Sequence, residues 1–374
     1  MKHIVIVRTG STIIDMNSYN CQELGLAKAL ANKGYRVSLI MAGIDRNTET
    51  IENENHLSSV QVFYLKVKSL DIRLGYFVGI DTLLKQLNPT IIQIHDMGIF
   101  MSWWVSRWAK KHDVPCFLIQ GTYQISPKPI LGLADRLITY VFGRRVLRKV
   151  AGVGCKSYMA SHFVKKYHKI DTSIVHIGLD ESKFATSSDK DWRKELGIVD
   201  KKVLLYIGKL EERRRPLFLI DIIMNLPSEY VLVMVGNGPL YEETKKKIAL
   251  NHLERRVFLL GLMPQTSLPS LYSSSDLFLL PSSYEIYGMV IMEAMYYGLP
   301  VVSSHSAGAE IIIDDTKDGV VVDRFDIEEW SQAIKDICDD KEKNDRMKVE
   351  AKRKIRDEYL WEKAVDTFLK LYNL

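Results

Sequence analysis

The chain has 374 residues, more than one hydrophobic core usually organises, so two domains are expected, each long enough to bury a core of its own. Apolar residues make up 47% and charged residues 26%, with no low-complexity tract and no solenoid-length repeat, which excludes disordered and fibrous classes. The formal charge of +5 is unevenly spread: residues 1–185 hold 24 Lys/Arg against 14 Asp/Glu, and residues 186–374 hold 27 against 32.

His3 to Val7 reads as a short apolar strand running into a polar turn, Arg8 to Asn20. A helical pattern follows from about Cys21 to Lys33, closed by Gly34 before the strand Arg36 to Met41, which makes a βαβ unit. The alternation continues with a strand over Val60 to Val67, a helix near Asp81 to Leu87 and a strand over Thr90 to His95. A Trp-rich helix and the strand Cys116 to Ile119 come next. Residues 101–150 carry nine basic and two acidic side chains, interleaved with Trp103, Trp104, Trp108, Tyr140 and Phe142. This stretch either docks on anionic lipid or forms a solvated helix face above a buried aromatic stripe. Periodicity stops over Ser173 to Phe184 and the polar stretch Ala185 to Asp191, which reads as a linker.

The second half repeats the scheme. Strands are expected at Lys202 to Ile207, Tyr230 to Val235, Val257 to Leu260, Leu277 to Leu280 and Val301 to Ser303. Helices are expected over Leu217 to Asn225, near Tyr241 to Leu250, from about Gly288, and in the charged stretch from Lys341, where Trp361, Ala364, Phe368 and Leu371 form an apolar stripe. Strands alternating with helices imply parallel sheets covered on both faces, hence an α/β protein of two facing Rossmann-like domains with an interdomain cleft. In such sheets ligands bind beyond the carboxyl ends of the strands, so the chemistry belongs in the loops that follow them.

No run approaches the roughly 18–20 apolar residues a membrane span needs, and MKHIVIVRTG leads into a strand rather than a signal peptide, so a cytoplasmic protein is expected. Cys21, Cys116, Cys155 and Cys338 are scattered without a CxxC pair, which suggests neither disulfides nor a zinc site. Walker A and HExxH motifs are absent, and the sole Asp-x-Asp, Asp189 to Asp191, falls in the linker, so no metal is expected.

The richest stretch is Pro281 to Pro300, PSSYEIYGMVIMEAMYYGLP, directly after the strand DLFLL. Gly288 opens a helix whose first amides, on Gly288, Met289 and Val290, suit a phosphate. Glu285 in the loop and Glu293 within a turn and a half of the helix start can border one pocket, Glu293 accepting hydrogen bonds from ribose hydroxyls. In YIGKLEERRRP, again at a strand end, Lys209 and Arg214 are placed to bracket a diphosphate, although a run such as Arg213 to Arg215 can also be a solvated face.

The stretch from Glu285 to Glu293 resembles the E-x7-E signature of glycosyltransferase family 4, retaining enzymes of the GT-B fold within the group 1 glycosyl transferases. The resemblance runs from about Lys2 to Leu371 and is specific over residues 205–312. It implies that Glu285 contacts the transferred sugar and Glu293 the ribose. It implies phosphate roles for Lys209 and Arg214, which keep the family's spacing but swap both residue types, with Arg215 where glycine is common. VLVMVGNGP, with Gly236, resembles the family's next strand-end loop, and LLGLMP, with Leu262, the one after, whose backbone usually borders the base. Gly10 fits the loop that approaches donor diphosphate and acceptor, without the usual double glycine. On the acceptor side His95 ends the strand TIIQIH, where it either touches substrate or is a satisfied structural residue, and Gln120 ends CFLIQ just before Tyr123; many relatives have histidine where this chain has Gln120, an amide that cannot titrate.

The domains implied are residues 1–180 for the acceptor, 181–355 for the nucleotide-sugar donor, and a helix over 356–374 crossing back to the first domain. The function implied is retaining transfer of a hexose from a UDP- or GDP-type sugar to a glycan or lipid-linked acceptor in cell-surface polysaccharide or glycoconjugate synthesis. No metal or other cofactor and no nucleic acid are expected, and the basic stretch 101–150 would touch the inner face of a membrane. The alternatives are an epimerase or hydrolase of the same fold, or a non-catalytic sugar-nucleotide-binding module.

Overall fold

The computed structural model describes residues 1–14, 21–52, 58–69, 71, 73–126, 129–181 and 190–374, with only the backbone of 129–131. The chain forms two compact units, Met1–Gly178 together with Trp361–Leu374, and Leu179–Leu360.

The first unit holds β1 (His3–Val7), β2 (Arg36–Gly43), β3 (Asn47–Glu52), β4 (Ser59–Ser69), β5 (Gly75–Phe77), β6 (Ile91–His95), β7 (Cys116–Gln120), β8 (Gly152–Cys155) and β9 (Ser173–Ile174). Among the described residues the sheet order is β3-β4-β2-β1-β6-β7-β8-β9, with β5 on β4. All pairings are parallel except β3 with β4 and β4 with β5. Helices cover the central strands on both faces, so β1, β6 and β7 are buried along their whole length and are mainly apolar, with Gln93, His95 and Gln120 the buried polar residues of β6 and β7. The polar exception in β1, His3, is satisfied inside: its ring lies 2.8 Å from the Leu87 carbonyl and 2.9 Å from Ser38 Oγ.

One expectation needs correction here. Ser173 and Ile174 are not linker; they pair with Gly154 and Cys155 and extend the sheet as β9. The rest of the expected linker lies partly outside the described residues (182–189), as do 15–20 of the expected polar turn. Asp191 caps a short helix, Trp192–Glu195, by accepting from the amides of Arg193 and Lys194, while Asp189 lies outside the described residues. The tryptophans of the basic stretch are largely spent internally. Trp108 is buried and stacks on His112; Trp103 and Trp104 pack with Phe100, and Trp104 donates to Asp81 at 3.0 Å. The exposed apolar side chains are instead Leu133, Leu137 and Tyr140, at helical spacing, with Arg144 over the Tyr140 ring.

The second unit holds β10 (Lys202–Ile207), β11 (Tyr230–Val235), β12 (Val257–Gly261), β13 (Leu277–Leu280), β14 (Val301–Ser304) and β15 (Gly319–Val322), all parallel in the order β12-β11-β10-β13-β14-β15. The charged helix Lys341–Glu358 packs on the helix Met289–Tyr296. The last helix, Trp361–Tyr372, belongs to the first unit and buries the stripe Trp361, Ala364, Phe368 and Leu371. Gly25 and Gly178 admit the Trp361 ring: a Cβ at either would lie 2.0 or 2.4 Å from it. Among the described residues no helix is long and apolar enough to cross a membrane.

Candidate active site

In the second unit, β11, β10 and β13 are neighbours, and the loops after them meet at one end of the sheet. The loop after β10 is tied to the loop after β11 by backbone alone: Gly208 N donates to Val235 O, Leu210 N to Asn237 O and Leu240 N to Leu210 O. These contacts are close enough to require glycine. A Cβ on Gly236, at φ +138°, would lie 1.9 Å from the Gly208 carbonyl oxygen, and one on Gly238 2.3 Å from that of Leu210. The loop after β10 is likewise joined to the loop after β13, since Ser283 N donates to Arg213 O at 2.8 Å and Arg213 Nη1 to Tyr284 O at 2.7 Å.

This frame gives each cation of Lys209 to Arg215 a different setting. Lys209 is largely exposed, 3.5 Å from Glu211. Arg213 is held by Glu211 and the Tyr284 carbonyl. Arg214 is mostly buried, with Nη1 2.6 Å from Glu285 Oε2. Arg215 sits at φ +49°, the left-handed conformation that favours glycine, and turns its guanidinium over the Phe325 ring at 3.8 Å. The run is therefore no uniform solvated face: Arg214 is the arginine nearest Glu285, and Arg213 Nη1 stands 3.9 Å from the same Oε2.

Gly288, at φ +72°, starts the helix Met289–Tyr296. Ile291 N already returns to Gly288 O at 2.8 Å, while the Met289 and Val290 amides lie in the first turn, where no intrahelical acceptor exists. Glu285 lies beside this tip: a Cβ at 288 would come within 3.4 Å of its Cγ. Gly308, which the sequence reading passed over, shapes the same tip from below, because a Cβ there would lie 2.4 Å from the Tyr287 carbonyl. Its only sequence signal is a small residue behind Ser306, a side-chain cap at a strand end. Glu293, buried, receives the Tyr272 hydroxyl at 2.9 Å. Leu262, after β12, is 81% exposed, an isolated apolar side chain beside Gly261, whose carbonyl accepts from Gly236 N.

In the first unit the expected acceptor residues are engaged internally. Gln120 is buried; its amide oxygen accepts from Met97 N at 2.9 Å and its nitrogen donates to Thr122 O at 2.7 Å. Tyr123 is half-buried and packs on the core. Gly10 follows β1 in open space, with Arg8 Nη1 4.0 Å from where a Cβ would stand. His95 uses both ring nitrogens. The Tyr372 hydroxyl donates to Gln93 Oε1, so the Gln93 amide nitrogen donates to His95 Nε2 at 2.8 Å, and the ring proton rests on Nδ1, 3.5 Å from Glu23 Oε1. Burial lowers the His95 pKa and keeps the ring neutral near pH 7. Burial works in the opposite sense on Glu23, but the neighbouring Lys156 and Arg8 cations hold its carboxyl low while the neutral His95 ring faces it. Glu23, Arg8 and Lys156 thus gather at the carboxyl ends of β1, β6 and β8, a cluster the sequence reading missed. Among the described residues no group of three or more His, Cys, Asp or Glu is arranged to hold a metal ion.

Residues 188–354 match the family model described as "Glycosyl transferases group 1". Alpha-D-kanosaminyltransferase of Streptomyces kanamyceticus is 26% identical over 268 residues, 69% of this chain and 64% of that protein. The UDP-Gal:alpha-D-GlcNAc-diphosphoundecaprenol alpha-1,3-galactosyltransferase of Escherichia coli is 31% identical over 209 residues, covering 54% and 53% of the two chains. The matches to these two curated relatives thus span 64% and 53% of their length. Among solved structures, Anabaena Alr3699/HepE in complex with UDP superposes with a TM-score of 0.76 at 17% identity over 100% of both chains, a likeness of fold.

Proposed function

We propose, from the premise that residues 188–354 are a domain of the glycosyl transferases group 1 family on a chain of GT-B fold, that this protein is a retaining glycosyltransferase using a nucleotide-diphosphate sugar. The observation that carries the reading is the Arg214–Glu285 pair beside the glycine-opened helix tip, with Lys209 on the adjoining loop. The donor diphosphate lies against the Met289 and Val290 amides and the Lys209 and Arg214 side chains. Glu285 accepts from the sugar's hydroxyls, Glu293 from the ribose, and Leu262 borders the base.

In the reaction the bond from the anomeric carbon to the diphosphate oxygen breaks, and the acceptor oxygen bonds to the same face of that carbon. The departing phosphate oxygen takes the acceptor's proton, so no titrating side chain is needed at Gln120 or His95. Cations and amides held in place before reaction stabilise the growing negative charge without reorganising. The UDP and UDP-galactose in the names of similar proteins favour a uridine donor. The test is thermal shift against UDP, GDP and ADP: a ligand at 100 times its dissociation constant stabilises by about 2.7 kcal/mol. UDP or GDP is expected to raise the melting temperature, and no response to either would defeat the proposal.

The acceptor proposed is a glycan or glycolipid at an anionic membrane, in cell-envelope glycoconjugate synthesis. Its support is the exposed stripe Leu133, Leu137 and Tyr140 flanked by Arg144, Arg145, Arg148 and Lys149. The full chain is expected to sediment with phosphatidylglycerol vesicles, and Leu137→Glu to weaken that. Absence of binding even at low salt would end the membrane part alone.

A further inference from the structure

The Glu293 carboxylate is held by another side chain that no motif marks. Tyr272, on the helix Leu268–Ser273 that precedes β13, donates its hydroxyl to Glu293 Oε2 at 2.9 Å. The phenol ring is fully buried and stacks on Tyr297 with ring centres 5.4 Å apart and planes 8° from parallel. Its helix is anchored from a second side, where Trp192 Nε1 donates to Ser270 Oγ at 2.9 Å. We infer that Tyr272 is a positioning residue for recognition of the donor's ribose, acting through Glu293; this rests on the reading of Glu293 as the ribose ligand.

The last torsion of a glutamate is soft, and a carboxylate that must accept from two adjacent hydroxyls needs that torsion fixed. The Tyr272 donor on Oε2 helps to set the carboxylate plane, and a carboxylate offers about four acceptor sites, so this bond does not use up its capacity. Burial, reinforced by the Glu293 charge, raises the phenol's pKa well above its ordinary value, so the hydroxyl is always present as a donor. The stacked ring confines that hydroxyl to one place. The arrangement is thus rigid before any nucleotide arrives, which is how a protein avoids ordering costs on binding.

The test uses the full chain and whichever of UDP and GDP stabilises it more, titrated calorimetrically beside its 2′-deoxy analogue. Wild type is expected to prefer the ribonucleotide, and Glu293→Ala to lose the preference. Tyr272→Phe keeps the ring and its stack. It is expected to weaken ribonucleotide binding about tenfold, the size of one hydrogen bond to a charged partner, and to leave the deoxy analogue unchanged. The sugar nucleotide's KM should rise by a similar factor with kcat little altered, the pattern of lost uniform binding. A purely structural tyrosine would lower the melting temperature without touching the preference. The double variant Tyr272→Phe/Glu293→Ala removes both buried partners, so it folds if loss of the Tyr272 bond to a buried carboxylate unfolds the single one; its ribonucleotide affinity should match that of Glu293→Ala. A Tyr272→Phe protein that keeps the wild-type preference, or a double variant that binds the ribonucleotide more weakly than Glu293→Ala, overturns the inference and leaves Glu293 in place. A wild type without preference, or a Glu293→Ala that retains it, overturns the ribose reading itself and Tyr272 with it.

Discussion

Arg214→Ala is expected to lower kcat by about 100- to 1,000-fold, the loss seen when one preorganised donor to developing negative charge is removed. Two effects add. The leaving diphosphate loses a guanidinium, and Glu285, whose side chain is only 12% exposed, loses the cation 2.6 Å away. Arg214→Lys should recover little, because an ammonium is a point charge that cannot reach Glu285 and a phosphate in one planar fork. Arg215→Ala, by contrast, removes a guanidinium stacked on Phe325 and should leave turnover within a few-fold. Nucleoside diphosphate release from the sugar nucleotide measures all three. An Arg214→Ala enzyme within threefold of wild type would remove Arg214 from the site.

Much of this was legible in the sequence because buried parallel strands leave an unbroken apolar record. Lys202–Ile207, Tyr230–Val235 and Leu277–Leu280 stand where KVLLYI, YVLVMV and LFLL predict them. The elements that escaped lack such a record. β3, NTETIE, is an almost wholly exposed edge strand with no apolar face, and β5 is three residues long. The break at Ser173 looked like a linker because a two-residue edge strand has no periodicity to show.

The site divides along the same line. A glycine before a helix and acids at a strand end are local patterns, so Gly288, Glu285 and Glu293 could be singled out from spacing. Which arginine lies nearest Glu285 is set by the fold of the loop after β10 against the loop after β13, which no spacing encodes. Gly308 and Tyr272 act from other elements, 20 or more residues away in sequence, and only packing brings them in. His95 and Gln120 show the converse: their types suit a polar site, but Gln93, Glu23 and the Met97 and Thr122 backbone occupy their polar atoms.

Under the proposed function, Glu285 separates a transferase from a module that merely holds sugar nucleotides, since its carboxylate would act on the reacting sugar rather than on the nucleotide. Glu285→Gln keeps the shape and removes the charge. The decisive measurement is nucleoside diphosphate release by this variant alongside its affinity for the nucleotide alone. Turnover is predicted to fall by about two to three orders of magnitude while nucleotide affinity stays within a few-fold. Unchanged turnover in a folded Glu285→Gln protein would contradict the account.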